Sequence, residues 1–293
     1  MTDKFVLYLG GGSMSGIFGA GIVTRLQEEN VYDKIESIFC ASAGAFNGAY
    51  FLSKQTELGS SIYYEDLIDG FIFPWKILSG TSQRFWDRYV KSIEREKIHN
   101  PINIDFLMDV SRNKKILDVD AVKNNSIPTY AKVFDLEEDK IKYVDLKNDV
   151  FKSLKEAVSV VPYYFPPKDQ NNIDGGLIER IGFDCLKNNY SNIKIVFCIN
   201  CFPKLDFKRN LRHSLEGTVT SFMYENSSIK YLLKNEGENF MQDVEKIRGD
   251  KKSLLIHPPQ DNPTNNGTTN PDKLRATWKM GKKEAEKILE FIT

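Results

Sequence analysis

A serine at a strand-to-helix turn is the first feature of this sequence that could do chemistry. Ser42 follows the apolar pair 38–39, which predicts a buried strand, and precedes a run of small residues at 43–54 that predicts a helix. A sharp turn of this kind exposes the serine hydroxyl and brings strand and helix so close together that the flanking positions must be small. Cys40 and Gly44 occupy those positions, so the local motif is Cys-x-Ser-x-Gly. The helix would also direct its first N–H groups towards negative charge that develops at the hydroxyl.

A glycine loop precedes the serine turn. The sequence Gly10-Gly11-Gly12-Ser13-Met14-Ser15-Gly16 follows an apolar strand predicted over 5–9, and apolar residues at helical spacing come after it. Consecutive N–H groups at a helix N-terminus can bind a phosphate or an oxyanion. A dinucleotide fingerprint fits poorly, because a serine falls on one of its glycine positions and no carboxylate ends the second strand. The loop therefore favours an oxyanion site, and the structural alternative is a turn that only permits close helix packing.

A carboxylate that could serve as a base lies in Ile173-Asp174-Gly175-Gly176-Leu177, after a helix predicted over 150–158 and a proline-rich approach. Asp-Gly is a turn signal, so Asp174 has a structural alternative as a turn residue. Beside Ser42, its carboxylate would accept the serine proton and complete a two-residue catalytic unit.

Three histidines, His99, His213 and His257, are the other candidates for a base. None has an obvious carboxylate partner in its own segment, although triad members need not be neighbours in sequence. His257 follows a strand predicted over 253–256 and could reach the edge of a sheet. Since Asp174 offers a base without histidine, we expect all three histidines to be dispensable for the chemistry.

Cys198 and Cys201 have the spacing of a redox or metal pair, but they lie at the end of an apolar strand predicted over 193–200. Residues three apart on a strand point to opposite faces, and no second cysteine or histidine pair accompanies them. The four cysteines are therefore expected to be reduced thiols, and the sequence predicts no metal site.

The whole chain has 293 residues, 41% of them hydrophobic, which suits one domain over 1–293 with a sizeable core. Forty basic and forty acidic side chains balance to zero formal charge, which argues against a general nucleic-acid binder. The start of the chain lacks the pattern of a signal peptide, and no stretch approaches the roughly 18 apolar residues of a membrane span. We therefore expect a soluble cytoplasmic protein.

An aromatic run at 71–78 has three interpretations. Large apolar residues are commonly buried, so the core is the first of them. The run could instead line an acyl-chain pocket or dip into a lipid surface. Strands are predicted over 129–135 and 140–144, a short helix over 103–108, and a final helix from Pro271 to about Phe291 with Asn270 as its cap.

Three motifs in this order resemble the patatin-like phospholipase family, close to its bacterial single-domain members. They are the glycine loop with its strand and helix (Leu9 to Val23), the serine turn (Cys40 to Gly48) and the approach to the aspartate (Ala157 to Gly176). The resemblance implies an α/β fold, related to the α/β-hydrolases, with a mostly parallel central sheet flanked by helices. It also implies hydrolysis of acyl esters of lipids by a Ser–Asp dyad, without a metal or an organic cofactor.

Carried over to this sequence, the family's roles make Ser42 the nucleophile and Asp174 its base. The backbone N–H groups of Gly11, Gly12 and Ser13 would form the oxyanion hole. The partner would be a lipid or acyl-ester substrate, with transient contact to a membrane surface and no nucleic acid.

The sequence departs from the family pattern at three positions. Cys40 replaces the first glycine of the serine turn, Ser13 the last glycine of the glycine run, and Ser15 a usual Arg or Lys. Backbone donors survive at Ser13, but the lost cation at Ser15 would either weaken anion binding or mark a changed substrate. The alternative function is therefore a catalytically weak lipid- or acyl-binding protein of the same fold, and an alternative mechanism makes Cys40 the nucleophile.

Overall fold

Apolar strands build the centre of the fold. The computed structural model describes residues 4–73, 100–167, 169–204, 207–224 and 227–293. Within these ranges one mixed sheet contains seven strands: β1 (Phe5–Leu9), β2 (Ile35–Ala41), β3 (Thr129–Asp135), β4 (Lys140–Asp145), β5 (Asn172–Asp174), β6 (Lys194–Cys198) and β7 (Ser253–Ile256).

The strand order is β4-β3-β2-β1-β6-β7, and β5 pairs with β3. From β3 to β7 along this order all neighbours run parallel, whereas β4 and β5 are antiparallel to β3. The predicted α/β class with a mostly parallel sheet is therefore confirmed. Because β1 and β2 are adjacent and parallel, the glycine loop and the serine turn leave the sheet at the same carboxyl edge.

Helices flank the sheet on both faces. The α-helices of the described ranges are α1 (Ile17–Glu28), α2 (Ala43–Leu52), α3 (Thr56–Ser61), α4 (Ile104–Asp109), α5 (Val119–Asn124), α6 (Val150–Val158), α7 (Gly175–Ile178), α8 (Phe183–Asn189), α9 (Phe207–Tyr224), α10 (Ser227–Gly249), α11 (Pro271–Glu284) and α12 (Glu286–Ile292). Short 3-10 turns cover Ser13–Gly16 and Val31–Lys34, and π-helical turns extend α3 over Ile62–Asp66 and α4 over Val110–Lys114.

Alternation along β1 divides the core into two layers. Phe5, Leu7 and Leu9 pack into the apolar cluster that contains α1 and α2, whereas Val6 and Tyr8 pack into the cluster on the opposite face with α8 and α10. Successive side chains of a strand point to opposite faces, so a strand buried on both faces is apolar throughout. This explains the continuous apolar run from which the strand is predicted.

Helix α11 crosses α1 at backbone contact. A Cβ at Gly21 would overlap the carbonyl oxygen of Trp278, and a Cβ at Gly281 would overlap that of Phe18. Only glycine permits so close an approach of two helices at these points. The C-terminal part of the chain therefore fixes the helix that follows the glycine loop.

Several predicted elements agree with the structure, including the helix at 150–158 and the strand at 129–135. Asn103 and Asn270 cap their helices by accepting the N–H of the third residue after them. The predicted final helix is interrupted by one turn residue, Ala285, whose backbone stays in the helical region (φ −63°, ψ −19°). The long helices α9 and α10 were not predicted, because their sequences are mostly polar.

Some expectations are not tested by this architecture. Residues 74–78 of the aromatic run and His99 lie outside the described ranges. The single-domain organisation over 1–293 stays a prediction. Among the described helices, none combines the length and the apolar character that crossing a membrane requires.

Candidate active site

Ser42 lies on a strained turn between β2 and α2. Its backbone has φ 51° and ψ −127°, a conformation that residues other than glycine rarely adopt. The close approach behind it excludes a larger residue at Gly44, where a Cβ would overlap the carbonyl oxygen of Leu9. The strand-to-helix turn expected from the sequence is therefore present, with a half-buried serine at its tip.

Cys40 faces the packing between strand and helix. Its side chain is fully buried, and a Cβ at Gly48 would lie 2.7 Å from its sulfur. Burial raises the pKa of the Cys40 thiol well above its usual value. A buried, protonated thiol is a poor nucleophile, so this environment favours Ser42 over Cys40 as the reacting group.

The register of β3 brings Asp174 next to Ser42. Ala41, the last residue of β2, pairs with Lys132 of β3, and the following residue of β3, Val133, pairs with Asp174 of β5. Strand β2 therefore ends just before Ser42, and from that point β5 pairs with the same edge of β3. The proximity is visible at Gly176, where a Cβ would lie 3.2 Å from Asp174 Oδ1 and 3.8 Å from Ser42 Cβ.

The Asp174 carboxyl is almost completely buried, with 2% of the residue exposed. Burial raises its pKa from 3.8 to about 7, while the nearby Ser42 hydroxyl and the N–H groups of Gly176 and Leu177 act in the opposite direction. The Gly176 N–H lies 2.8 Å from Oδ1. A buried carboxyl with a pKa near neutrality beside a serine is a candidate general base.

Lys132 anchors the segment that follows α7, the short helix that Asp174 caps. Its ammonium group is fully buried and donates to the backbone carbonyls of Glu179 (3.1 Å) and Ile181 (2.7 Å) and to the Glu179 carboxylate (2.9 Å). Burial alone would lower the pKa of Lys132, but Tyr8, Tyr143 and Glu179 raise it above its usual value. The positive charge in turn lowers the pKa of Asp174 and opposes the effect of burial on that group.

The glycine loop lies against Ser42. A Cβ at Gly11 would be 2.6 Å from Ser42 Cβ, so only glycine fits at this point. Gly12 and Ser13 both have positive φ, at 149° and 49°. None of the hydrogen bonds found between described residues uses the N–H groups of Gly11, Gly12 or Ser13. The three donors predicted to bind an oxyanion are therefore unoccupied by other described groups of the chain.

An apolar pocket opens beside the serine. It is open to solvent on one side and is lined by residues of the glycine loop, α2, α3 and the segments at 62–71, 102–107 and 158–160. Its polar residues are largely satisfied by the protein, because Tyr63 donates to Asn47 and Tyr50 donates to the Lys115 carbonyl. The lining thus offers hydrocarbon to a ligand, as an acyl-chain pocket requires.

Phe71, the first residue of the aromatic run, belongs to this pocket and is buried to 4% exposure. Phe71 is therefore part of the core and also lines the pocket, while the acyl-chain role of that pocket stays a prediction. The Ser13 hydroxyl is buried without a hydrogen-bond partner among the described residues, and Ser13 lines the same pocket.

The described histidines have other contacts. The Nδ1 atom of His257 lies 2.9 Å from the Pro258 carbonyl oxygen, and its ring packs edge-on against Phe202. Nδ1 of His213 lies 3.1 Å from Glu236. In the parts of the chain that the structure describes, no group of three or more His, Cys, Asp or Glu side chains is arranged to hold a metal ion.

The fold is of the α/β class with a mixed sheet, and a serine lies on its strained strand-to-helix turn. These two features define the class of α/β proteins that carry a nucleophile elbow. Within that class, the family model described as patatin-like phospholipase matches residues 7–186. The chain therefore belongs to the patatin-like phospholipase family, and this membership supports a lipid hydrolase activity.

The solved structures similar to this chain include VipD and a complex that contains ExoU. VipD from Legionella pneumophila aligns with a TM-score of 0.50 and 11% identity over 99% of this chain and 67% of its own. A chain of the complex of full-length SpcU with full-length ExoU, from the type III secretion system of Pseudomonas aeruginosa, aligns with a TM-score of 0.32 and 13% identity over 84% of this chain and 52% of its own. The likeness to VipD shows the fold alone. No curated protein matches the sequence.

Proposed function

We propose that the chain hydrolyses carboxylic esters of lipids, with Ser42 as nucleophile and Asp174 as its general base. The observation that carries the proposal is the placement of Ser42 beside a buried carboxyl whose pKa is raised to about 7, at the wall of an apolar pocket. A carboxyl that exchanges its proton near neutral pH can both accept and return it during one turnover.

The reaction follows from this arrangement. Ser42 Oγ attacks the ester carbonyl carbon while its proton passes to Asp174, and the carbonyl oxygen becomes an oxyanion. The N–H groups of Gly11, Gly12 and Ser13 stabilise that charge. The C–O bond to the alcohol then breaks, and the departing oxygen takes the proton from Asp174. Water, deprotonated by Asp174, attacks the carbonyl carbon of the acyl-serine. The bond to Ser42 Oγ then breaks, Oγ takes the proton back from Asp174, and the fatty acid leaves.

Ser42→Ala tests the nucleophile. The change removes a half-buried hydroxyl and should lower turnover of p-nitrophenyl acyl esters by at least about 10⁴-fold. The matched control is Ser53→Ala at the other end of α2, whose hydroxyl lies 3.2 Å from the Tyr50 carbonyl oxygen. The control should keep its activity, and only the control should react with a fluorophosphonate probe. Undiminished hydrolysis by Ser42→Ala would overturn the proposal.

A catalytically weak lipid- or acyl-binding protein is the second candidate. Ser15 is buried and supplies no cation to the loop, which favours this candidate because anion binding then depends on N–H groups alone. It predicts that a fatty acid binds the wild type while the fluorophosphonate probe leaves Ser42 unlabelled.

Contact with a membrane surface and a cytoplasmic location stay predictions. Co-sedimentation with phospholipid vesicles, compared for wild type and Ser42→Ala, measures the membrane contact independently of turnover. Binding by both proteins is the expected result.

A further inference from the structure

Asn200 holds the glycine loop from the neighbouring strand. It follows β6 by two residues, and 4% of it is exposed. Its Nδ2 atom donates to the carbonyl oxygens of Gly10 (2.7 Å) and Gly11 (3.1 Å), and its Oδ1 atom accepts the N–H of Gly19 (2.9 Å). One end of the Asn200 amide faces two carbonyl oxygens and the other end faces an N–H group. These partners establish which end carries the nitrogen atom and which the oxygen atom.

Ser15 holds the next carbonyl group. The Gly12 carbonyl oxygen accepts the N–H of Ser15 at 3.0 Å, and the Ser15 hydroxyl lies 2.7 Å from the same oxygen. The hydroxyl also lies 2.9 Å from Oδ1 of Asn266, and the Asn266 carbonyl accepts the N–H of Met14 at 3.4 Å. Both interactions bind the loop to the segment that precedes α11.

These carbonyl groups belong to the same three peptides as the proposed oxyanion donors. The carbonyl of Gly10 shares its peptide with the N–H of Gly11, that of Gly11 with the N–H of Gly12, and that of Gly12 with the N–H of Ser13. In a trans peptide the C=O and the following N–H point in opposite directions. Fixing the three oxygens towards Asn200 and Ser15 therefore turns the three N–H groups away from these side chains.

Orientation of this kind matters for catalysis. Glycine has more backbone freedom than any other residue, so a loop of three glycines does not fix its own peptides. Oxyanion stabilisation depends on donors that are aligned before charge develops. Reorienting the peptides during the reaction would cost free energy and offset the stabilisation of the oxyanion.

We propose that Asn200, with Ser15, is a positioning residue that orients the peptides of the glycine loop so that the N–H groups of Gly11, Gly12 and Ser13 serve Ser42. The inference rests on the proposed ester hydrolysis. It also gives a role to the serine that stands in place of the family's usual Arg or Lys.

Asn200→Asp tests the positioning role. The variant keeps the size of the side chain and its acceptor for Gly19, but it directs a carboxylate oxygen at the carbonyls of Gly10 and Gly11 and should displace their peptides. We expect kcat to fall by about 10²-fold and the rate of fluorophosphonate labelling to fall with it. KM should stay within about threefold, because the acyl pocket is untouched.

Asn125→Asp is the matched control. Asn125 makes the same kind of contacts away from the loop, donating to the Leu52 carbonyl (2.9 Å) and accepting the N–H of Ile127 (3.0 Å). If the exchange of a hydrogen-bonded amide for a carboxylate acted only on the structure, it should affect Asn200→Asp and Asn125→Asp alike. We expect kcat to be unchanged in Asn125→Asp. Thermal unfolding verifies that each protein is folded.

If Asn200→Asp does not fold, Ser15→Ala decides, with an expected fall in kcat of about tenfold at constant KM. A kcat at the wild-type level in the folded variant, or a rise in KM alone, would overturn the positioning role. If the wild type itself neither hydrolyses esters nor is labelled at Ser42, the proposed function falls, together with the inference that rests on it.

Discussion

Asp174→Asn should remove activity and stabilise the fold at the same time. The wild-type carboxyl is held in a site with 2% exposure, where burial raises its pKa from 3.8 to about 7. An uncharged amide of the same shape can still accept the N–H of Gly176, so the turn should keep its geometry. The variant lacks only the group that must be ionised to act as a base.

The size of the effect follows from the two pKa values. In the unfolded chain the carboxyl ionises near pH 3.8, whereas in the folded protein it stays neutral up to about pH 7. The stabilisation linked to this raised pKa is therefore complete below pH 3.8 and is lost as the pH rises through about 7. About three pH units at 1.36 kcal/mol each lower the free energy of unfolding of the wild type by about 4 kcal/mol. Asp174→Asn has no carboxyl at this position and should not lose this stability.

Urea unfolding of the wild type and the variant at several pH values between 4 and 8 measures this difference. The advantage of Asp174→Asn should grow with pH and become constant above about pH 7. Asp118→Asn is the control, because Asp118 also caps a helix by accepting a backbone N–H, that of Ala121 at 2.9 Å, but lies on the surface. An advantage of Asp174→Asn that is flat, or that shrinks as the pH rises, would refute the reasoning from burial.

Three further results are expected. The kcat of the wild type should rise as the pH increases through about 7, since Asp174 must be ionised to accept the Ser42 proton, and a profile flat from pH 5 to 9 would contradict this. Cys40 should resist iodoacetamide in the native protein, and Cys40→Leu should destabilise by roughly 1–3 kcal/mol and lower activity further by displacing Ser42; alkylation of Cys40 with matching loss of activity would argue for the thiol as nucleophile. Ser13→Gly keeps the backbone donor at a position with φ 49°, so hydrolysis should stay near the wild-type rate, as it should in His257→Ala; a large loss in either would revise the site.

The serine turn could be predicted from sequence because its requirements are local. The small residues that permit the turn lie within a few positions of Ser42, although the contact that requires Gly44 is with Leu9 of the neighbouring strand. The glycine loop is equally local. Strand, loop and helix follow one another directly, so the order of residues carries the information about their arrangement.

The neighbourhood of Asp174 could not be derived in the same way. Its position beside Ser42 depends on the register of β5 on β3, and that register joins segments about forty residues apart in the chain. The sequence offered only a turn signal and a family resemblance for it. Lys132 is recognisable in the sequence only as a charged residue within an otherwise apolar strand. Its backbone carbonyl partners are not marked by any sequence pattern.

Asn200 was missed for a related reason. A polar residue after a buried strand is common, and its function here depends on which loop lies across the sheet edge. The side-chain amide matches two carbonyls and one N–H that belong to residues about 180 to 190 positions earlier. Such a match exists only after β1 and β6 have paired.

The placement of β6 has a practical consequence for anyone who expresses part of this chain. The family match ends at residue 186, yet β1 is paired on one side by β6, whose first residue is Lys194. A fragment cut at residue 186 would turn the innermost strand into an open edge, with an apolar surface and unpaired backbone groups that invite aggregation. It would also lack Asn200, Asn266 and the Gly281 contact. A fragment boundary chosen from the match alone would therefore separate the serine turn from the part of the chain that holds the glycine loop in place.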